Sequence, residues 1–98
     1  LANPAAHLRR LAQVAPLVAL HTHGCQRPET SDGGNEGLWW TEGGWDAERD
    51  GVGERSFWPT RASLREMASN AGFGCETVWD RDVNEHAWVG YYFLRRRA

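Results

Sequence analysis

His21, His23 and Cys25 occupy alternate positions, and there residue type and spacing first meet chemistry in this sequence. Alternate residues of a strand share one face, so two imidazoles and a thiol would project together. An imidazole can take a proton from an acceptor hydroxyl or amine near neutral pH, which makes His21 and His23 the candidate catalytic residues. Thiolate with imidazole also suits zinc. A fourth ligand would have to come from Cys75, His86 or the acidic stretch after Cys25, and no spacing fixes that geometry, so no metal is expected. The plainer alternative is that one histidine packs between helix and sheet while the other closes a strand end.

Trp39, Trp40, Trp45 and Trp58 form a second constellation, all but Trp58 in a segment rich in glycine and acids. Such tryptophans can line or close over a substrate pocket. They can equally pin a loop to a sheet by burying large apolar area. Arg61 stands where a helix would begin, the unfavourable end of the dipole for a cation. It can pair with Glu42, Asp46 or a ligand carboxylate, or lie in solvent. Arg95, Arg96 and Arg97 read as a solubilising tail.

These residues need a frame. Asn3 and Pro4 open a helix, the first as cap and the second at a position that needs no N–H. Leu8, Leu11, Ala12 and Ala15 give it one apolar face, and Pro16 ends it. Leu17 to Leu20, continuing through His21 and Thr22, is apolar on both faces, which predicts a strand covered on both sides. Regular pattern then stops. The segment 24–56 is expected to be a partly ordered lid with a short strand near Leu38–Thr41. Thr60 caps a second helix whose stripe is Leu64, Met67, Ala68 and Ala71, with Gly72 as its stop. Phe73, Cys75, Thr77 and Trp79 alternate with wetter residues, as an edge strand would. After a turn over 80–85, the run from His86 to Arg95 is apolar on both faces and belongs inside the sheet. A right-handed crossover makes the first two strands parallel, and the short turn makes the last antiparallel. The expected sheet is a parallel pair with the antiparallel last strand inserted between them.

Composition excludes some partners. A net charge of −2 over 98 residues gives no broad attraction to phosphate or anionic lipid, so neither nucleic acid nor membrane is expected. The longest apolar runs, 15–20 and 87–94, are far short of the roughly 20 residues a spanning helix needs. Cys25 and Cys75 form no disulfide framework and suit a reducing cytoplasm. The length allows one domain, burying only roughly 60–65% of its unfolded surface.

The order of elements, with Asn3-Pro4 through Leu11, then Leu17-Val18-Ala19-Leu20-His21-Thr22-His23, resembles the later part of the class I SAM-dependent methyltransferase fold. Ser56 to Leu64 leading to Ala71-Gly72-Phe73 is similar to that family's next helix, and the last two strands to its closing hairpin. The resemblance implies an α/β, Rossmann-like sheet and a methyl acceptor, small molecule or macromolecule, beside His21 and His23. Trp39, Trp40, Trp45, Trp58 and Arg61 would contact it; oxygen, nitrogen and carbon acceptors are all compatible. The cofactor would be S-adenosyl-L-methionine, gripped by a glycine loop after a first strand and an acid ending a second. This sequence has neither: Gly51-Val52-Gly53 falls in the lid and Gly72-Phe73-Gly74 at a helix stop. Residues 1–98 are therefore expected to be a single partial domain, the carboxy-terminal half of an enzyme and inactive alone. Its strand 17–22 would have an exposed edge through which copies self-associate. The alternative is a non-catalytic α/β module that binds a ligand or protein through its tryptophan-rich segment.

Overall fold

A computed structural model of the chain describes residues 3–32, 34–41 and 55–97. Helix α1 (Pro4–Val14) begins where Asn3 Oδ1 accepts from the Ala6 amide at 3.0 Å, and it buries Leu8. Helix α2 (Arg61–Asn70) begins on Thr60, whose Oγ1 accepts from the Ser63 amide at 3.2 Å. Gly72 ends it with φ at +101°. Any other L-residue there would carry a left-handed strain of roughly 1–2 kcal/mol.

Strands β1 (Leu17–Cys25), β5 (Phe73–Asp82) and β6 (Ala87–Arg96) form one sheet in the order β1-β6-β5. β6 is antiparallel to both neighbours, so β1 and β5 are parallel to each other with the last strand between them, as the sequence pattern predicts. Both helices lie on one face of this sheet, over a core of Leu8, Leu64, Met67, Ala68, Phe73, Trp88, Tyr92 and Leu94.

The opposite face corrects the expectation that β1 is covered on both sides. Leu17, Ala19, His21 and His23 are exposed, and Val89, Tyr91 and Phe93 are half-buried; among the described residues no helix covers them, and only Trp58 of the strand before the second helix reaches this face, against His23. The apolar character of the rest gives the sheet a second surface that no described layer covers. A β-bulge between Thr77 and Trp79 adds to it. Before the bulge Thr77 meets Arg65 on the helix side, and after it Asp80 and Asp82 face that side. The extra residue reverses the alternation. Trp79, expected to share a face with Phe73, stands instead on the open face, its ring 5.9 Å from that of His21.

The segment expected to be a partly ordered lid with one short strand near Leu38–Thr41 contributes, with residues 57–59, to a second antiparallel sheet. Strand β1 runs on to Cys25, and β2 (Thr30–Asp32), β3 (Asn35–Thr41) and β4 (Arg55–Pro59) follow as a meander with β3 in the middle. Two bonds fasten it to α2: the Glu36 amide donates to Ser63 Oγ at 2.8 Å, and the Thr60 amide to the Glu36 carbonyl at 3.0 Å. A third fastens it to the main sheet, where the buried Trp88 Nε1–H donates to the Pro59 carbonyl at 3.2 Å. Residues 42–54 lie outside the described part.

The terminal arginines are not a free tail. The Arg96 guanidinium donates to the Ala12 carbonyl at 2.8 Å and that of Arg97 to the Ser69 carbonyl at 2.6 Å. Both acceptors lie in the last turn of a helix, where carbonyls have no helical partner and a cation is favoured. Among the described residues no helix is long and apolar enough to cross a membrane.

Candidate functional site

The carboxyl end of β1 is where an open α/β sheet places ligands, and a cleft of about 250 Å³ lies beside it. One wall is the run from Leu20 to His23 and the other the run from Ser56 to Pro59, with Pro4 closing one side. The His23 ring meets the Trp58 ring edge-on with centroids 4.4 Å apart. Thr22 Oγ1 lies 3.5 Å from the His23 carbonyl, to which it donates. Three residues singled out from sequence, His21, His23 and Trp58, thus line one cleft. The His21 ring also approaches Tyr91, at 6.3 Å, on the open face.

The other candidates are elsewhere. Trp39 packs its ring edge-on against Phe57 at 5.3 Å. Trp40 pairs with Ser56 in the β3–β4 register, and its side chain, like all of Trp45, lies outside the described residues. Arg61 does not line the cleft. Its guanidinium donates to Asp82 at 2.9 Å and to Gln26 Oε1 at 3.1 Å, with Asp80 Oδ2 3.4 Å from Nε and the Trp88 ring centroid 5.4 Å from its central carbon. Burial works against the Arg61 charge, but the bond to Asp82 and the nearby Asp80 outweigh it and raise its pKa. Bonds from Gln26 and Arg61 hold the Asp82 carboxyl below the ordinary carboxylate range. The partners expected for Arg61, Glu42 and Asp46, lie outside the described residues. Asp80 and Asp82 were not legible as its partners because only the bulge turns them toward α2.

Tyr92 belongs to the same cluster and donates to Asp80 Oδ2 at 3.1 Å. Burial, then the Asp80 charge, pushes its phenol up to about 12. Below about pH 10 both folded and unfolded chains keep the proton, and this contribution to stability is whole. As pH rises from about 10 to 12 only the unfolded chain loses the proton, so stability falls by on the order of 2–3 kcal/mol. Urea denaturation across that range should show this decline in the wild type and a flatter one in Tyr92→Phe.

Burial raises the pKa of both Cys25 and Cys75, and both are free thiols. A protonated thiol is a poor metal ligand. Among the described residues no group of three His, Cys, Asp or Glu side chains gathers as a metal site.

The described residues do not fit an adenosyl cofactor. A nucleotide loop needs glycines between a strand end and a helix start. Gly34, with φ at +87°, lies in the β2–β3 turn and Gly72 follows a helix. Between β4 and α2 stands Thr60 alone.

No protein-family model and no curated protein matches the chain. Two solved structures share its fold: the N-terminal domain of EvdMO1 with SAH bound, and the same domain in the presence of SAH and D-fucose. Each superposes with a TM-score of 0.82 over 99% of this chain, at 24% identity. The chain spans 42% of the length of those structures. The likeness shows an α/β fold shared with a domain that binds SAH.

Proposed function

We propose that this chain is the acceptor-side half of a SAM-dependent methyltransferase fold, and that the loop gripping the cofactor belongs to polypeptide outside it. The observation that carries the reading is how the sheet is left. No described strand pairs with the outer edge of β1, and no described element covers the largely apolar face around Ala19, His21, Trp79, Tyr91 and Phe93. One further strand against β1, with helices over that face, would complete a doubly wound sandwich. The structures that share the fold are more than twice as long and are associated with SAH, the demethylated product of SAM. In this reading His21 and His23 stand beside the methyl acceptor with Trp58 on the opposite wall, while residues 1–98 alone are inactive. Two free thiols suit a cytoplasmic location.

Calorimetric titration with SAH tests the reading. Micromolar binding is expected from the natural polypeptide with any residues upstream of Leu1, and none from residues 1–98 alone. A folded longer polypeptide without binding would overturn the proposal. It would leave a non-catalytic binding module, a reading favoured by a β2–β3–β4 meander and cleft that need no cofactor to form.

The β1 edge carries a second expectation. The Arg96 amide donates to the Pro16 carbonyl and the Gln26 amide to the His86 carbonyl, in the register of the β1–β6 ladder. Even-numbered residues therefore bond inward, and Leu17, Ala19, His21 and His23 turn their N–H and C=O groups outward. This edge has neither lysine nor proline to discourage pairing. Sedimentation velocity on residues 1–98 should show association rising with concentration, reduced by Ala19→Lys; a wild-type monomer at all concentrations would count against an incomplete sheet.

A further inference from the structure

The cleft between β1 and β4 has a composition that selects its ligand. Of the described residues lining it none is Arg, Lys, Asp or Glu, so a formal charge entering it would lose hydration without finding an opposite charge. Its walls alternate apolar and hydroxyl-binding groups: Leu20, Phe57 and Trp58 against Thr22 and His23. The Thr22 hydroxyl spends its proton on the His23 carbonyl, which leaves its oxygen lone pairs to accept from a ligand. Imidazole supplies one donor or acceptor more. Size narrows the choice further. Pockets for drug-sized ligands run to roughly 300–1,000 Å³. About 250 Å³ lies below that range and suits a small ligand such as a single ring. The one neighbouring cation of α1 does not change the balance: Arg9 lines a separate hollow of about 210 Å³ that shares only Pro4 and Phe57 with the cleft.

We infer that this cleft binds an uncharged, hydroxyl-bearing ring, its apolar face against Trp58 and its hydroxyls on Thr22 and His23. The inference names the acceptor class of the proposed function and to that extent rests on it. The binding itself needs no cofactor, so failure of ring binding and failure of SAH binding are separate results.

Tryptophan fluorescence of dilute residues 1–98, excited at the red edge, tests it with three probes: methyl β-D-glucopyranoside, resorcinol and glucose 6-phosphate. At least one neutral ring should saturate the signal in the millimolar range, with the phosphate ester at least about tenfold weaker. Response to the pyranoside alone identifies a sugar-type ring, and response to resorcinol alone a phenolic one. Trp58→Phe should abolish the response. His23→Ala should weaken binding about tenfold, the worth of one hydrogen bond, while His86→Ala in the distant hairpin leaves it unchanged. If His23→Ala does not fold, Thr22→Val serves for the same measurement. No saturation with either neutral ring, equal or tighter binding of the phosphate ester, or full binding by the folded His23→Ala and Thr22→Val variants would each overturn the inference.

Discussion

Trp88→Ala is expected to remove about 3–5 kcal/mol of stability. A chain of 98 residues has on the order of 5–15 kcal/mol in all, so the variant should be partly unfolded at room temperature. Trp88 is wholly buried near the start of the middle strand. The Tyr92 ring stands edge-on to it at 6.2 Å, and the Arg61 guanidinium lies over it. Removing the indole opens a cavity bordered by both sheets and leaves the Pro59 carbonyl without its donor. Trp88→Phe separates these effects, because it retains a ring but not the N–H. Urea denaturation followed by circular dichroism should place Trp88→Phe between wild type and Trp88→Ala. Equal midpoints for the wild type and Trp88→Ala would show that the two sheets do not depend on this contact.

Gly24→Ala should cost about 2–6 kcal/mol by forcing β4 away from β1. A Cβ at residue 24 would overlap the Pro59 carbonyl oxygen and sit 2.6 Å from two atoms of the Trp88 ring. Neither can yield cheaply, since one is backbone and the other is held in the core. Overpacking of this kind typically costs 1–3 kcal/mol, and leaving the buried indole N–H without its acceptor about 1–3 more. The expected damage is local first. Limited proteolysis should cut within residues 26–60 sooner than in the wild type while the β1-β6-β5 sheet stays protected. Unchanged protection of that segment would show that the close approach at Gly24 is not what holds the meander down.

Local chemistry made the helices legible. Asn3-Pro4, Thr60 and Gly72 are cap and stop residues that act within a few positions, and each stands where its type requires. The middle position of β6 was legible too, because its run is the longest that is apolar on both faces, although only helix-side residues, Trp88, Tyr92 and Leu94 among them, are fully buried. What depends on distant partners was not legible. The apolar outward residues of β1 look the same in sequence whether or not a second layer exists. The bulge at Val78 inserts a residue into a run whose alternation reads cleanly without it, so the pattern puts Trp79 on the wrong face and reads Asp80 and Asp82 as turn where the strand continues. Of the meander only the short strand near Leu38–Thr41 was legible, because Asn35-Glu36-Gly37-Leu38-Trp39-Trp40-Thr41 lacks a clean alternation and the sheet is held by Ser63, Thr60 and Trp88 from elsewhere in the chain. For the site, residue type marked His21, His23 and Trp58. The opposing wall of Ser56 and Phe57 became visible only once β4 was folded against β1.

The strand order bears on how the chain is born. Among the described strands β6 comes last in sequence and is the one that pairs with both β1 and β5 in that sheet, so neither has its partner there until β6 has been synthesised. The clasps that tie this strand to the helix ends, through Arg96 and Arg97, come at its far end. Apolar β1 and β5 must therefore wait, unpaired, for β6 to leave the ribosome, a period in which exposed strands are prone to aggregate. A nascent chain cut before Arg96 would lose both clasps, and one cut before Trp88 would lose the sheet.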